Sequence, residues 1–214
     1  VRKFLEDFDF KTKDRKSVQE HLHDKKSDIL LNYMEGELEN LYQLFLQLRL
    51  MDRKLQSSVH PEDLKKAIAE FLIQCPVYRY YGNQFPLDEP EATEVQNILH
   101  RMRRSGAADE IAISIFENTF LQKPHQNDED YNKRVARFYQ RCMQFTGPLM
   151  AKGVEDTLMY NFNPFIGHNE VGDAPDAFGI APEDFHQAMI DRQEDWHLTL
   201  NASSTHDTKR GEDV

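Results

Sequence analysis

Apolar residues return every three or four positions through the first two thirds of this chain, and that spacing constrains the fold more than any other feature. Leu31, Met34, Leu38, Leu41, Phe45 and Leu48 form one such row. It lays an apolar stripe along one face of one long helix, which core packing or a short helical hairpin would bury. A second row, Leu64, Ile68, Phe71, Leu72 and Cys75, follows Pro61. His60 precedes it, and Glu62 and Asp63 sit in its first turn, where the helix dipole favours negative charge. Pro76 stops it. A third helix is expected from an N-cap at Asp88, through Val95, Leu99 and Met102, to Gly106. A fourth runs from Ala108 to Leu121 on Ile111, Ile115 and Phe116, ahead of a break at Pro124. A fifth, capped by Asn127 or Asp128, carries Tyr131, Val135, Phe138, Cys142 and Phe145. Up to Phe145 the chain reads as a helical bundle, so the expected fold class is mainly α.

The pattern breaks at Gly147-Pro148. For about thirty residues beyond it no helical spacing can be read, and Asp173, Pro175, Gly179 and Pro182 mark loops. One more helix is expected from Pro182 to Trp196. "LTLNAS", from Leu198 to Ser203, then alternates as a strand does, and the β-formers of "PVYRYYG", from Pro76 to Gly82, predict an extended segment. Three regions follow: a helical subdomain over 1–86, a second helical subdomain with a loop-rich segment over 87–181, and a helix, strand and charged loop over 182–214.

Charge excludes some partners. With 26 Lys and Arg against 37 Asp and Glu, the net charge is −11, which disfavours nucleic-acid binding by a general basic surface. The basic run from His100 to Arg104 suits a solvated helix C-terminus. Fourteen Phe and eight Tyr supply a core and argue against a disordered chain. No apolar run approaches the roughly 18 residues of a membrane span, so no membrane association is expected. The chain opens on Val1 with no signal segment, which reads as a piece of a longer protein. Cys75 and Cys142, far apart among apolar residues, read as two buried free thiols of a cytoplasmic protein. His21 and His23, two apart, point to different faces of a helix, and His168 and His186 have no partners at ligand spacing. No metal and no cofactor are expected.

Two stretches concentrate chemistry. In "TGPLMAKGVEDTLMYNFNPFIGHNEVG", from Thr146 to Gly172, the polar residues Lys152, Glu155, Asp156, Asn169 and Glu170 alternate irregularly with aromatic and aliphatic ones. That mixture suits a sugar or another small polar ligand; the other reading is a loop-rich packing layer whose charges pair internally. In "STHDTKRGEDV", His206, Asp207, Lys209, Arg210, Glu212 and Asp213 crowd one short run. A strand ending in His-Asp presents both side chains at its C-terminal edge, where catalytic residues of a (β/α)8 barrel lie. A solvated loop of alternating charge is the other reading.

Taken in order and spacing, "PVYRYY", "GPLMAKGVEDTLMYNFNPFIGHNEVG" and "STHDTKRGEDV" resemble the maltooligosyltrehalose synthases of the α-amylase clan, over Asp28 to Val214. The resemblance implies that the chain is a middle slice of a cytoplasmic enzyme. It would be the helical insertion domain of an α-amylase-type (β/α)8 barrel, returning to barrel strand seven at "LTLNASSTHD". The implied reaction is intramolecular transglycosylation, which turns the reducing end of a maltooligosaccharide substrate into a trehalose end. By the same resemblance Asp207 is the third catalytic acid of the clan, His206 a sugar-binding histidine, and Lys209 a lysine holding the reducing-end glucose. Lys152 and Glu155 become candidates for binding substrate or for holding the loop. The nucleophile and acid/base of a retaining mechanism would lie upstream of Val1, leaving the isolated piece inactive. A maltooligosyltrehalose trehalohydrolase is the implied functional partner. Two departures bear on subsite geometry: Asp173-Ala174 stands where the family has Gly-Asp, and Trp196-His197 lacks the family's intervening proline. A non-catalytic helical interaction module and a clan hydrolase are the alternatives.

Overall fold

The structure, a computed structural model, describes residues 16–51, 58–162, 164–175, 179–204 and 208–213. The chain divides into two compact units, one spanning Leu22–Val154 and the other drawn from the chain on either side of it. The helices are α1 (Val18–Tyr33), α2 (Glu35–Gln47), α3 (Pro61–Ile73), α4 (Glu89–Ser105), α5 (Glu110–Glu117), α6 (Glu129–Leu149), α7 (Met159–Asn161) and α8 (Pro182–Asp195).

In the larger unit α3 is central and packs against α2, α4, α5 and α6. Every residue from Ala67 to Ile73 is buried, as a helix surrounded on all sides requires. Helix starts follow the sequence closely. His60 Nδ1 accepts from the Glu62 N–H, Asp88 from that of Glu91, and Asp128 from that of Tyr131. Gly106, at φ 65°, ends α4 in the left-handed conformation that glycine adopts without a Cβ penalty. Asp109 caps α5 through the N–H groups of Ile111 and Ala112.

The core is aromatic at its centre. Phe120 lies in a π-turn (Asn118–Gln122) after α5. Its ring centroid is 5.1 Å from Phe71, 5.5 Å from Tyr139, 5.6 Å from Phe116 and 6.0 Å from Phe138. These spacings fall in the range where offset and edge-on ring pairs are favourable. Cys75 and Cys142 are both free and buried. Burial raises the pKa of each thiol.

Five sequence expectations are corrected. The single helix through Leu31–Leu48 is two helices, because Met34 leaves helical geometry at φ −126°, ψ 25°. The break rotates the stripe, so Leu30 is buried while Leu31 is half exposed. On α5, Ile111 faces outward, and Ala112, Ile113, Ile115 and Phe116 face the core. The extended segment at Pro76–Gly82 is an irregular loop, held when Thr146 Oγ1 donates to the Tyr78 carbonyl at 2.8 Å and the Gly82 N–H donates to Glu91 at 2.9 Å.

The fourth correction is the largest. The helix does not break at Gly147-Pro148: α6 runs through Pro148 to Leu149 and widens into a π-helix, Met150–Leu158, before α7. Proline offers no N–H to the carbonyl four residues back, which favours a change of turn there. In the wider turn the buried residues Leu149, Val154, and Leu158 with Met159 recur at intervals of four to five, a spacing that a search at 3.6 residues per turn does not register. Gly153 permits a close approach to α1: a Cβ there would stand 3.1 Å from Lys26 Cα.

Helix α8 forms where expected, but none of its residues is buried. Leu198–Ser203 is not a strand, and no strand occurs among the described residues. Leu198 and Leu200 are 85% and 93% exposed. A strand exists only through hydrogen bonds to a neighbouring one, and alternation of side chains cannot substitute for that ladder.

Candidate functional site

In the smaller unit, residues 155–162 and 164–175 meet residues 208–213. The arrangement starts at the end of α7, where Phe162 turns extended at φ −97°, ψ 102°. That turn leaves helix-end carbonyls without intrahelical donors. Buried Asn169 supplies them: its Nδ2 donates to the Met159 carbonyl at 2.8 Å and to that of Phe162 at 2.6 Å. His168 Nδ1 lies 2.8 Å from Asp173 Oδ2 and closes the next turn.

Glu170 follows directly. Its Oε1 accepts from the Lys209 N–H at 2.6 Å and from its neighbour Val171 at 2.9 Å. Its Oε2 accepts from Arg210 at 3.1 Å and, more distantly, from Gly211 at 3.5 Å. Gly211, at φ 54°, takes the left-handed conformation that lets successive N–H groups converge on one anion. Burial pushes the Glu170 carboxyl up, but the main-chain donors of Lys209, Val171, Arg210 and Gly211 outweigh it and hold the pKa down to about 2.

The side chains of the same segment are also held. Lys209 Nζ is 2.5 Å from Asp156 Oδ1. The hydrogen bond to Asp156 raises the lysine pKa; desolvation opposes it, and the charges of Asp156, Tyr160 and Glu155 add to it. Arg210 Nη2 donates to the Met159 carbonyl at 3.2 Å, and its guanidinium stands 5.1 Å from the Tyr160 ring centroid. Ser204 Oγ donates to Glu212 Oε1 at 2.6 Å.

Of the residues singled out from sequence, Lys209 and Glu155 come into electrostatic reach of one another. Glu155 is buried on the π-helix. Lys152 is exposed on the same π-helix, within the larger unit. His206 and Asp207 lie outside the described residues, which stop at Ser204 and resume at Thr208. His23 Nε2 pairs with Glu70, and His186 is exposed on α8. Among the described residues no group of three or more His, Cys, Asp or Glu is placed to hold a metal ion, and no helix is long and apolar enough to cross a membrane. Asp156, Glu170 and Arg210 stood in the charged stretches without a role. No periodic signal could have found them, because Lys209 meets its acid 53 residues away and Glu170 reads main-chain donors, which every residue type but proline carries.

No family model matches the chain. Over 74 residues it is 42% identical to proteins of two Mycobacterium tuberculosis strains, CDC 1551 / Oshkosh and ATCC 25618 / H37Rv, each named "Putative maltooligosyl trehalose synthase". The match takes in 35% of this chain and 10% of each relative. In fold, the maltooligosyltrehalose synthase from Arthrobacter ramosus superposes with a TM-score of 0.64 at 24% identity, over 96% of this chain and 23% of that one. A mutant of the same enzyme gives 0.68 at 21% identity, over 96% of this chain and 23% of that one. A hypothetical maltooligosyl trehalose synthase from Sulfolobus tokodaii gives 0.62 at 22% identity, over 99% of this chain and 23% of the other. The chain is thus similar to a segment of maltooligosyltrehalose synthases, in sequence over 74 residues and in fold along nearly all of its length.

Proposed function

We propose that these 214 residues belong to an enzyme that converts the reducing end of a maltooligosaccharide into a trehalose end by intramolecular transglycosylation. The observation that carries this reading is the 42% identity to the Mycobacterium tuberculosis proteins. The fold likeness and the meeting of the two motif-bearing stretches, at Lys209 with Asp156, support it. In this reaction the α-1,4 bond from the donor anomeric carbon to O4 of the terminal glucose breaks, and the same carbon bonds to O1 of that glucose; O4 gains the proton that O1 loses, so one reducing end disappears while mass is unchanged. A retaining route needs a carboxylate nucleophile and a second carboxyl as acid and then base. Those groups belong to parts of the longer polypeptide outside these residues, and the isolated piece is inactive.

In this reading the chain is the helical insertion of an α-amylase-type barrel, and Leu198–Ser203 becomes a strand once barrel neighbours supply its ladder. Asp207 and His206 grip hydroxyls of the sugar at the cleavage point, Asp207 favouring the distorted, oxocarbenium-like ring. Lys209 holds the released glucose while it turns, which is catalysis by positioning. Lys152 and Glu155 bind substrate or hold the covering segment, and exclusion of water keeps hydrolysis from competing. The enzyme works in the cytoplasm, and its product passes to a maltooligosyltrehalose trehalohydrolase. The test is to incubate the polypeptide from the full reading frame with maltohexaose and follow reducing ends and mass. Loss of reducing ends at constant mass is the expected result. Release of glucose with rising reducing ends would make it a hydrolase, and no change would leave a helical binding module.

A further inference from the structure

We infer that Glu170 is a positioning residue: by accepting the main-chain N–H groups of Lys209, Arg210 and Gly211, it fixes the path of the segment that carries Lys209. No assigned role in the reaction uses Glu170. The geometry is specific to a carboxylate. Two oxygens face donors of three successive residues, at 2.6, 3.1 and 3.5 Å, and Val171 adds a fourth at 2.9 Å. A carboxylate only accepts, so all of these donors can be satisfied at once, and charge-assisted bonds of this kind are stronger than neutral ones. Glu170 is itself held, because the preceding residue, Asn169, is buried and bonded to two carbonyls at the end of α7.

The segment is therefore fastened twice, by different means. Asp156 holds the Lys209 ammonium, and Glu170 holds the Lys209 main chain. Without Glu170 the held ammonium would hang from a loose backbone, and without Asp156 a fixed backbone would carry a wandering side chain. The consequence for turnover rests on the reading under Proposed function; the consequence for the segment's order does not.

The test has two arms. In this chain, amide exchange is followed at Lys209, Arg210 and Gly211 by nuclear magnetic resonance. Glu170→Gln keeps the Oε1 acceptor but turns an NH2 donor toward Arg210 and Gly211, and Glu170→Ala removes both oxygens. Exchange at these three amides is expected to rise about tenfold or more in Glu170→Ala and by less in Glu170→Gln, as lost hydrogen bonds dictate, with α3 and α6 unchanged. Asp156→Asn should leave those amides protected. Unchanged exchange in Glu170→Ala would overturn the inference, and so would an equal rise across α3 and α6, which would make Glu170 a general stability residue. In the longer polypeptide, Glu170→Gln is expected to lower kcat for trehalose-end formation with little change in KM, and to release more free glucose per turnover. Exposed amides with kcat and product ratio unaltered would remove the positioning role. A wild-type polypeptide that forms no trehalose ends would instead sink the proposed function and leave the exchange result to decide the fastening.

Discussion

Lys209 Nζ lies 2.5 Å from Asp156 Oδ1, joining two residues 53 positions apart. The bond raises the lysine pKa, so the ammonium is kept and the reactive amine is scarce. In Asp156→Asn the largest cause of that rise is gone, and the Lys209 pKa falls. Acylation of Lys209 under mildly alkaline conditions should therefore be faster in Asp156→Asn than in the native chain, read by peptide mass spectrometry. Equal rates would mean that Asp156 does not hold the ammonium in solution.

Lys26 on α1 donates to the Ile73 and Cys75 carbonyls, at 3.2 and 2.7 Å, at and just past the end of α3. Burial pushes its pKa down from 10.5 to about 8, with the Cys75 charge opposing and that of Arg101 assisting. Between those two values the unfolded chain binds a proton that the folded chain does not, so folding gains stability as pH rises. The cost of the buried charge is fully present below about 8 and is relieved toward 10.5. The melting temperature of the native chain minus that of Lys26→Met should therefore move in favour of the native chain between about pH 7 and pH 10. A difference that stays flat over that range would contradict the burial of the charge.

Phe120 has four aromatic rings within about 6 Å and is fully buried. Phe120→Ala leaves a cavity that the neighbouring rings can only partly fill, and should cost about 3–5 kcal/mol in denaturant unfolding. A loss below about 1 kcal/mol would show that the core collapses around the site.

A Cβ at Gly153 would be tightly placed, since Cα and N of Lys26 would lie 3.1 and 3.3 Å from it and would have to give by a few tenths of an ångström. Gly153→Val forces α1 and the π-helix apart locally and should cost about 1–3 kcal/mol, measured in the same unfolding assay. Unchanged stability would mean that the close approach is absent in solution.

Much of the larger unit was legible in the residues themselves. The start at Pro61, the cap at Asp88, the cap at Asn127 or Asp128, the stop at Gly106 and the buried rows of α3, α4 and α6 all depend on neighbours within four positions. What periodicity could not show was a change of turn. Met34 rotates a stripe by breaking the helix, and the π-helix after Pro148 moves the apolar spacing from 3.6 residues to between four and five. Both read as loss of pattern although the chain stays helical.

The motif residues were likewise legible by type, but not their partners. The sequence by itself determined where helices begin, which residues can enter a core, and that Lys152, Glu155, Asp156, Glu170 and Lys209 stand in two charged stretches. Only the tertiary structure decided that Asp156 takes the Lys209 ammonium and Glu170 its main chain, because those bonds depend on distance between segments far apart in the chain. It also decided that Leu198–Ser203 stays unpaired among the described residues, since a strand is completed by hydrogen bonds to a neighbour and not by its own alternation.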